Sequence, residues 1–140
     1  MKPVRTSLEV GFADGALPER FARYRGRQAR ALAAAAPFPY EDEQFDVVMM
    51  DGASVDAARI REAHRVLRPD GRLLFTVQER TKKQEGFTLP DVYSIVRCGF
   101  DIVGVERPAW WLFGRRGRTI TISAAKKAWK TQTNTYRPYA

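Results

Sequence analysis

The chain has 140 residues, 44% hydrophobic and 29% charged, the balance of a soluble domain with a buried core. Its 24 Lys and Arg against 16 Asp and Glu give a net charge of +8, which favours anionic partners: nucleic acid, an acidic protein surface or an anionic small molecule. The single cysteine excludes an internal disulfide and shows no metal-ligand pattern. With no bilayer-length apolar run and no signal-peptide-like segment, a cytoplasmic, reducing setting is expected.

Ser7–Val10 reads as a strand entering the turn Glu9-Val10-Gly11-Phe12-Ala13-Asp14-Gly15. Glycines here allow unusual φ angles and let a ligand approach the backbone near a helix N-terminus. A helix is predicted from near Leu17, with Leu17, Phe21 and Tyr24 on one side. The following stretch carries Arg23, Arg25, Arg27 and Arg30, and no carboxylate from Tyr24 to Ala36. Between Gly15 and Pro37 there is room for one helix and one short strand at most.

Glu41–Arg72 is the best-defined stretch. Phe45 and Val47–Met50 form a short apolar run, as in a strand covered on both faces. Asp51 and Gly52 fall at its carboxyl end, where open α/β sheets bind ligands. Ser54 is the expected helix N-cap, with Asp56 in the first turn. Ala57, Ile60, Ala63, Val66 and Leu67 recur at helical spacing, with Arg59, Arg61, Glu62, Arg65 and Arg68 on the other side. Pro69-Asp70-Gly71 stops the helix, and Leu73–Val77 is a second apolar strand, completing a βαβ unit.

Beyond a charged loop at Arg80–Gly86, Thr88-Leu89-Pro90-Asp91 resembles a capping box. The helix it opens has Val92, Ile95 and Val96 inward and stops at Gly99. Phe100–Val105 and Arg118–Ala124 are two further strands. Between them Trp110, Trp111 and Phe113 precede Arg115 and Arg116, a cluster suited to stacking on bases, anchoring a protein interface or covering the sheet edge. His64, the one histidine, reads as a surface or boundary residue of its helix, and Cys98 as buried packing. A single domain is expected over 1–127, with a polar tail over 128–140.

PFPYEDEQFDVVMMDG followed by REAHRVLRPDGRLLF resembles the middle of class I S-adenosylmethionine-dependent methyltransferases. That family often reads LPF, a few polar residues, FDVV, then a helix ending in RVLKPGG and a strand of type LLF. With weaker matches on either side the resemblance spans roughly Ser7 to Lys127. It implies a reduced Rossmann-like α/β fold, with a mostly parallel sheet of about five or six strands and an antiparallel closing strand. It implies S-adenosylmethionine as cofactor, with Gly11, Phe12, Ala13, Asp14 and Gly15 as the cofactor loop and Asp51 facing cofactor or substrate. Ala13 replaces the loop's middle glycine, and Leu32 stands where the family places a carboxylate near the adenine. The acidic residue that ends the family's second strand and binds the ribose has no counterpart, and one strand and one helix are missing. Cofactor binding is therefore expected to be weak or lost.

Three functions follow from this reading. The first is a binding or assembly subunit whose open sheet edge is covered by another copy or a protein partner. The second is a small active methyltransferase whose site is completed in a homo-oligomer. The third is nucleic-acid binding through the Arg23–Arg30 and Arg115–Arg118 clusters.

Overall fold

The computed structural model describes residues 6–12, 21, 24, 29–33, 35–52, 55–78, 94–106 and 119–129. Along the chain these form β1 (Thr6–Val10), β2 (Ala29–Ala33), β3 (Phe45–Met50), α1 (Ala57–Val66), β4 (Leu67–Gln78), β5 (Phe100–Glu106) and β6 (Thr119–Lys126). The strands make one six-stranded sheet in the order β2-β1-β3-β4-β6-β5. β1 pairs parallel with β2 and β3, and β3 parallel with β4. β6 runs antiparallel between β4 and β5. The architecture is the expected one: α/β, mostly parallel, closed by an antiparallel strand.

The apolar run in β3 explains the layering. Val48 and Met50 lie on the face packed by α1, together with Leu8, Val10, Leu73 and Phe75. Val47 and Met49 belong to a smaller cluster with Leu74 and Phe21, against which Phe12 and Tyr24 pack. A strand buried on both faces needs apolar residues at consecutive positions, as this one has. Phe21 and Tyr24, expected on one side of a helix, do reach the same cluster. Leu17 lies outside the described residues, as do the charged loop at Arg80–Gly86 and the capping-box residues Thr88–Asp91.

α1 buries Ile60, Ala63 and Val66, while Ala57, expected inward, is exposed. Its N-cap is Asp56 and not Ser54, which is outside the described residues. Asp56 has extended backbone (φ −146°, ψ 169°), and its Oδ1 accepts from the Arg59 N–H at 2.7 Å. A carboxylate one step inside the helix cannot fold back onto that amide, so Asp56 stands just before the first turn. The helix also ends earlier than Pro69. Leu67 is already extended (φ −81°, ψ 140°) with its N–H still donating to the Ala63 carbonyl, and it precedes Arg68, where the ring of Pro69 disfavours helical backbone. Leu67 pairs with Phe45, and pairing resumes only at Arg72 opposite Val47. The intervening turn carries Asp70 at φ 67°. A Cβ at Gly71 would lie 2.7 Å from the Arg68 carbonyl oxygen, so glycine is required there.

Glu62 and Arg65, expected to face solvent, instead clamp the β2–β3 loop onto α1. Arg65 donates from Nε and Nη2 to the two Glu62 carboxylate oxygens at 2.8 and 2.9 Å. It also donates to the carbonyls of Phe38 (3.0 Å) and Tyr40 (2.8 Å) and to Asp42 Oδ1 (2.8 Å). Glu62 Oε1 in turn accepts the Phe38 N–H at 2.8 Å. The Arg65 hydrogen bonds hold the Glu62 carboxyl below its ordinary range; burial opposes this and the Phe38 amide adds to it. Below the loop, Phe38 is buried and the Tyr40 ring meets Phe45 edge-on at 5.1 Å.

Replacing Arg65 by Ala takes its donor from two carbonyls and two carboxylates, and is expected to lower unfolding free energy by about 1–3 kcal/mol. Arg65→Lys should recover only part of it, since an ammonium cannot make the forked contact. The Glu62 contribution should be full above the ordinary glutamate range and lost as pH falls through the depressed folded value. Urea denaturation at several pH values checks this, and an unchanged Arg65→Ala midpoint would refute the clamp. Gly52→Ala should also destabilise, by about 1–3 kcal/mol. Its Cβ would sit 2.3 Å from the Thr76 carbonyl oxygen, and a midpoint equal to wild type would show that the strand end yields.

Candidate cofactor crevice at the β1 and β3 ends

β1 and β3 are adjacent and parallel, but the chain leaves them towards opposite faces. After β1 it reaches Phe21 on one face; after β3 it enters α1 on the other. Such a divergence opens a crevice beyond the carboxyl ends of the two strands, where open α/β sheets bind ligands. Gly11 closes β1 with φ 82°, and its N–H donates to the Ala33 carbonyl at the end of β2, at 2.9 Å. The Asp51 N–H donates to the Val10 carbonyl at 2.9 Å. The Gly52 N–H donates to Thr76 Oγ1 on β4 at 3.3 Å. Four strand ends are thus tied around the crevice by short backbone and side-chain bonds.

Gly11 is exposed and Asp51 half-buried at this rim. Phe12 is half-buried, its ring edge-on to Phe21 at 6.1 Å, so the bulky residue after the glycine packs into the second core cluster. Ala13, Asp14 and Gly15 lie outside the described residues. Leu32 is in β2, in register with Glu9. Glu9 opens the Glu9–Gly15 string but was not among the expected site residues; it is 1% exposed, two residues before Gly11, in a strand that reads Thr-Ser-Leu-Glu-Val. A carboxyl group is buried there only when something holds it.

Trp110, Trp111, Phe113, Arg115 and Arg116 fall outside the described residues, as do Arg23, Arg25 and Arg27, while Arg30 lies in β2. His64 is half-buried on α1, at the boundary where it was expected, and Cys98 is buried as a free thiol. Among the described residues no three His, Cys, Asp or Glu side chains gather as metal ligands. No described helix is long and apolar enough to cross a membrane. A separate shallow pocket, between Phe21, Tyr24 and Leu74 and the β5–β6 residues Gly104, Glu106, Thr121 and Ser123, holds about 30 Å³. That is room for water rather than for a nucleoside.

Gly11, at positive φ, leaves the backbone exposed at the end of β1, with Asp51 half-buried beside it. The strand next to β1, where a ribose-binding carboxylate would be carried, reads Ala29-Arg30-Ala31-Leu32-Ala33.

A family model described as "Methyltransferase domain" matches residues 8–75. No curated protein sequence matches. Solved structures share the fold at low identity. A Burkholderia thailandensis 1,6-didemethyltoxoflavin-N1-methyltransferase with bound substrate and S-adenosylhomocysteine is 18% identical, covering 91% of this chain and 72% of that one, with a TM-score of 0.66. The [4+2]-cyclase SpnF is 17% identical, covering 89% and 75%, with a TM-score of 0.64. The partner of the Trm112 methyltransferase activator in a Haloferax volcanii complex is 13% identical, covering 89% and 83%, with a TM-score of 0.65. The match over residues 8–75 and the fold shared with these structures support a class I S-adenosylmethionine-dependent methyltransferase family for the chain.

Proposed function

We propose that the β1–β3 crevice is the site for S-adenosylmethionine, that a single chain holds it weakly, and that the protein serves as a reduced, methyltransferase-like binding or assembly subunit. The observation that carries this reading is β2: it pairs directly with β1 and offers Ala, Arg, Ala, Leu and Ala, with no acceptor for the ribose hydroxyls. The exposed Gly11 and the half-buried Asp51 remain at the rim to receive the sulfonium and amino groups of the ligand. When bound, S-adenosylmethionine supplies an already activated methyl group, so a member of this fold acts mainly by positioning. Here the residues on the page support holding one end of that molecule and not fixing its whole length.

A protein partner or second copy that covers an exposed edge is consistent with the Haloferax neighbour, which is found with an activator protein. The sheet ends in β2 on one side and β5 on the other, and Val103 and Val105 on β5 are large exposed hydrophobics. The same arrangement leaves a second route open, an active enzyme whose ribose contact comes from a neighbouring copy.

Calorimetric titration with S-adenosylmethionine and S-adenosylhomocysteine separates these. Losing two polar contacts worth about 1–3 kcal/mol each moves a micromolar site towards the millimolar range, so a dissociation constant near or above millimolar is expected. Micromolar binding by a dilute monomer would overturn the reduced-site reading. Binding that tightens as protein concentration rises would favour the homo-oligomeric enzyme. Asp51→Asn should weaken whatever binding is seen by roughly tenfold, as expected for a lost charge-assisted contact, with the unfolding midpoint unchanged. Equal affinity in that variant would remove Asp51 from the site.

A further inference from the structure

His64 joins three elements that are distant in sequence. From α1, its Nε2–H donates to the Lys127 carbonyl at 2.6 Å, which places the neutral ring's proton on Nε2. The ring meets Phe100 of β5 edge-on at 5.5 Å and the Trp129 indole at 5.2 Å. The Lys127 N–H donates to the Gly99 carbonyl at 2.9 Å. A Cβ at Gly99 would lie 2.4 Å from Trp129 Cε3 and 2.6 Å from His64 Cδ2, so the indole and imidazole fill the space a side chain would need. Arg61 stacks its guanidinium 4.2 Å above the Trp129 ring from the other side. The segment after β6 is therefore held on α1 through one histidine and the aromatic it touches.

We propose that residues 127–129 form an acid-released clasp, closed over His64 at neutral pH and opened when the imidazole takes up a proton. The charges around the ring set the direction. Arg61 from α1 and Lys126 at the end of β6 are both cations near it. Lys127 carries a third, but its Nζ is paired with Asp101 Oδ1 of β5 at 3.0 Å. Asp42 and Glu43, on the β2–β3 loop, act on Lys126. Asp101 of β5 is thus already engaged by Lys127, and an imidazolium would join the cations of Arg61 and Lys126. Burial chiefly, with Lys126 and Arg61 adding, holds His64 below the ordinary histidine value; the Lys127 carbonyl pulls the other way. A group depressed in the closed form binds its proton better in the open form. Closure is therefore fully favoured above about pH 6.5, the ordinary histidine value, and weakens as pH falls below it. Opening on the Trp129 side frees the ring to water while the sheet beneath stays paired.

The chain has one histidine, so its imidazole resonances report His64 alone. The experiment follows these resonances and, in a Trp110→Phe/Trp111→Phe background, Trp129 emission and acrylamide quenching from pH 8 to pH 5. The expected result is a His64 midpoint below that of an unstructured peptide histidine. Trp129 emission should shift red and quenching rise with the same midpoint, while far-UV circular dichroism stays constant. His64→Phe, which keeps a ring in the slot, should make Trp129 emission independent of pH. A Trp129 signal that is flat while His64 titrates overturns the clasp. So does a transition that survives in His64→Phe, or a loss of helical signal in step with Trp129. Should His64→Phe fail to fold, the coincidence of the two midpoints in the His64 protein remains decisive.

Discussion

The parallel pairing of β1 with β3 is the constraint on which the rest depends. Ser7 to Val10 lie beside Val47 to Met50, with consecutive residues of both strands buried on both faces. That pairing forces the chain to leave the two strands on opposite faces, because helix and loop layers must cover both sides of a sheet whose central strands are buried on both faces. The crevice at Gly11 and Asp51 is a consequence of that covering. So is the inequality of the two layers: the α1 face carries most of the large buried side chains, and the opposite face a cluster built on Phe21, Val47, Met49 and Leu74.

What was legible in the sequence was what periodicity encodes. The apolar run of β3 and the spacing of Ile60, Ala63 and Val66 followed from patterns of burial, while the antiparallel closing strand was implied by the family resemblance. Polar side chains were read less well, because a charged residue on the outer side of a helix looks the same whether it meets water or a loop. Arg65 and Glu62 show this: nothing in REAHR says that Phe38 and Tyr40 will fold back to present their carbonyls. The helix start moved for a similar reason. Ser54 and Asp56 are both good caps, and only the backbone decides which carboxylate or hydroxyl reaches the third amide. Trp129 lay in a segment that reads as polar, and its contact with Gly99 and His64 depends on sequence separations that no local pattern carries.

The charge balance also looks different once partners are visible. A net +8 invites a phosphate-binding reading, yet the cations of the α1 layer are largely engaged. Arg59 pairs with Asp56, Arg65 with Glu62 and Asp42, Arg68 with Asp46, and Lys127 with Asp101. Exposed pairs of this kind contribute little stability each. Their effect is to neutralise one face of the molecule and to fix loops in register. A nucleic-acid surface would have to draw on the arginines of the Arg23–Arg30 and Arg115–Arg118 stretches.

Fold and ligand site are separable in this architecture because different interactions maintain them. The sheet persists through buried apolar area and strand pairing, to which a ribose-binding carboxylate contributes nothing. On the proposed reading, a missing ribose carboxylate would cost ligand affinity while leaving β1, β3 and β4 in place. β2 illustrates the exchange. By pairing straight onto β1, with Leu32 beside Glu9 and the Ala33 carbonyl receiving Gly11, it completes the sheet and the glycine turn. The SpnF cyclase shares the sheet as well as the Burkholderia methyltransferase does, so the same frame is compatible with more than one activity.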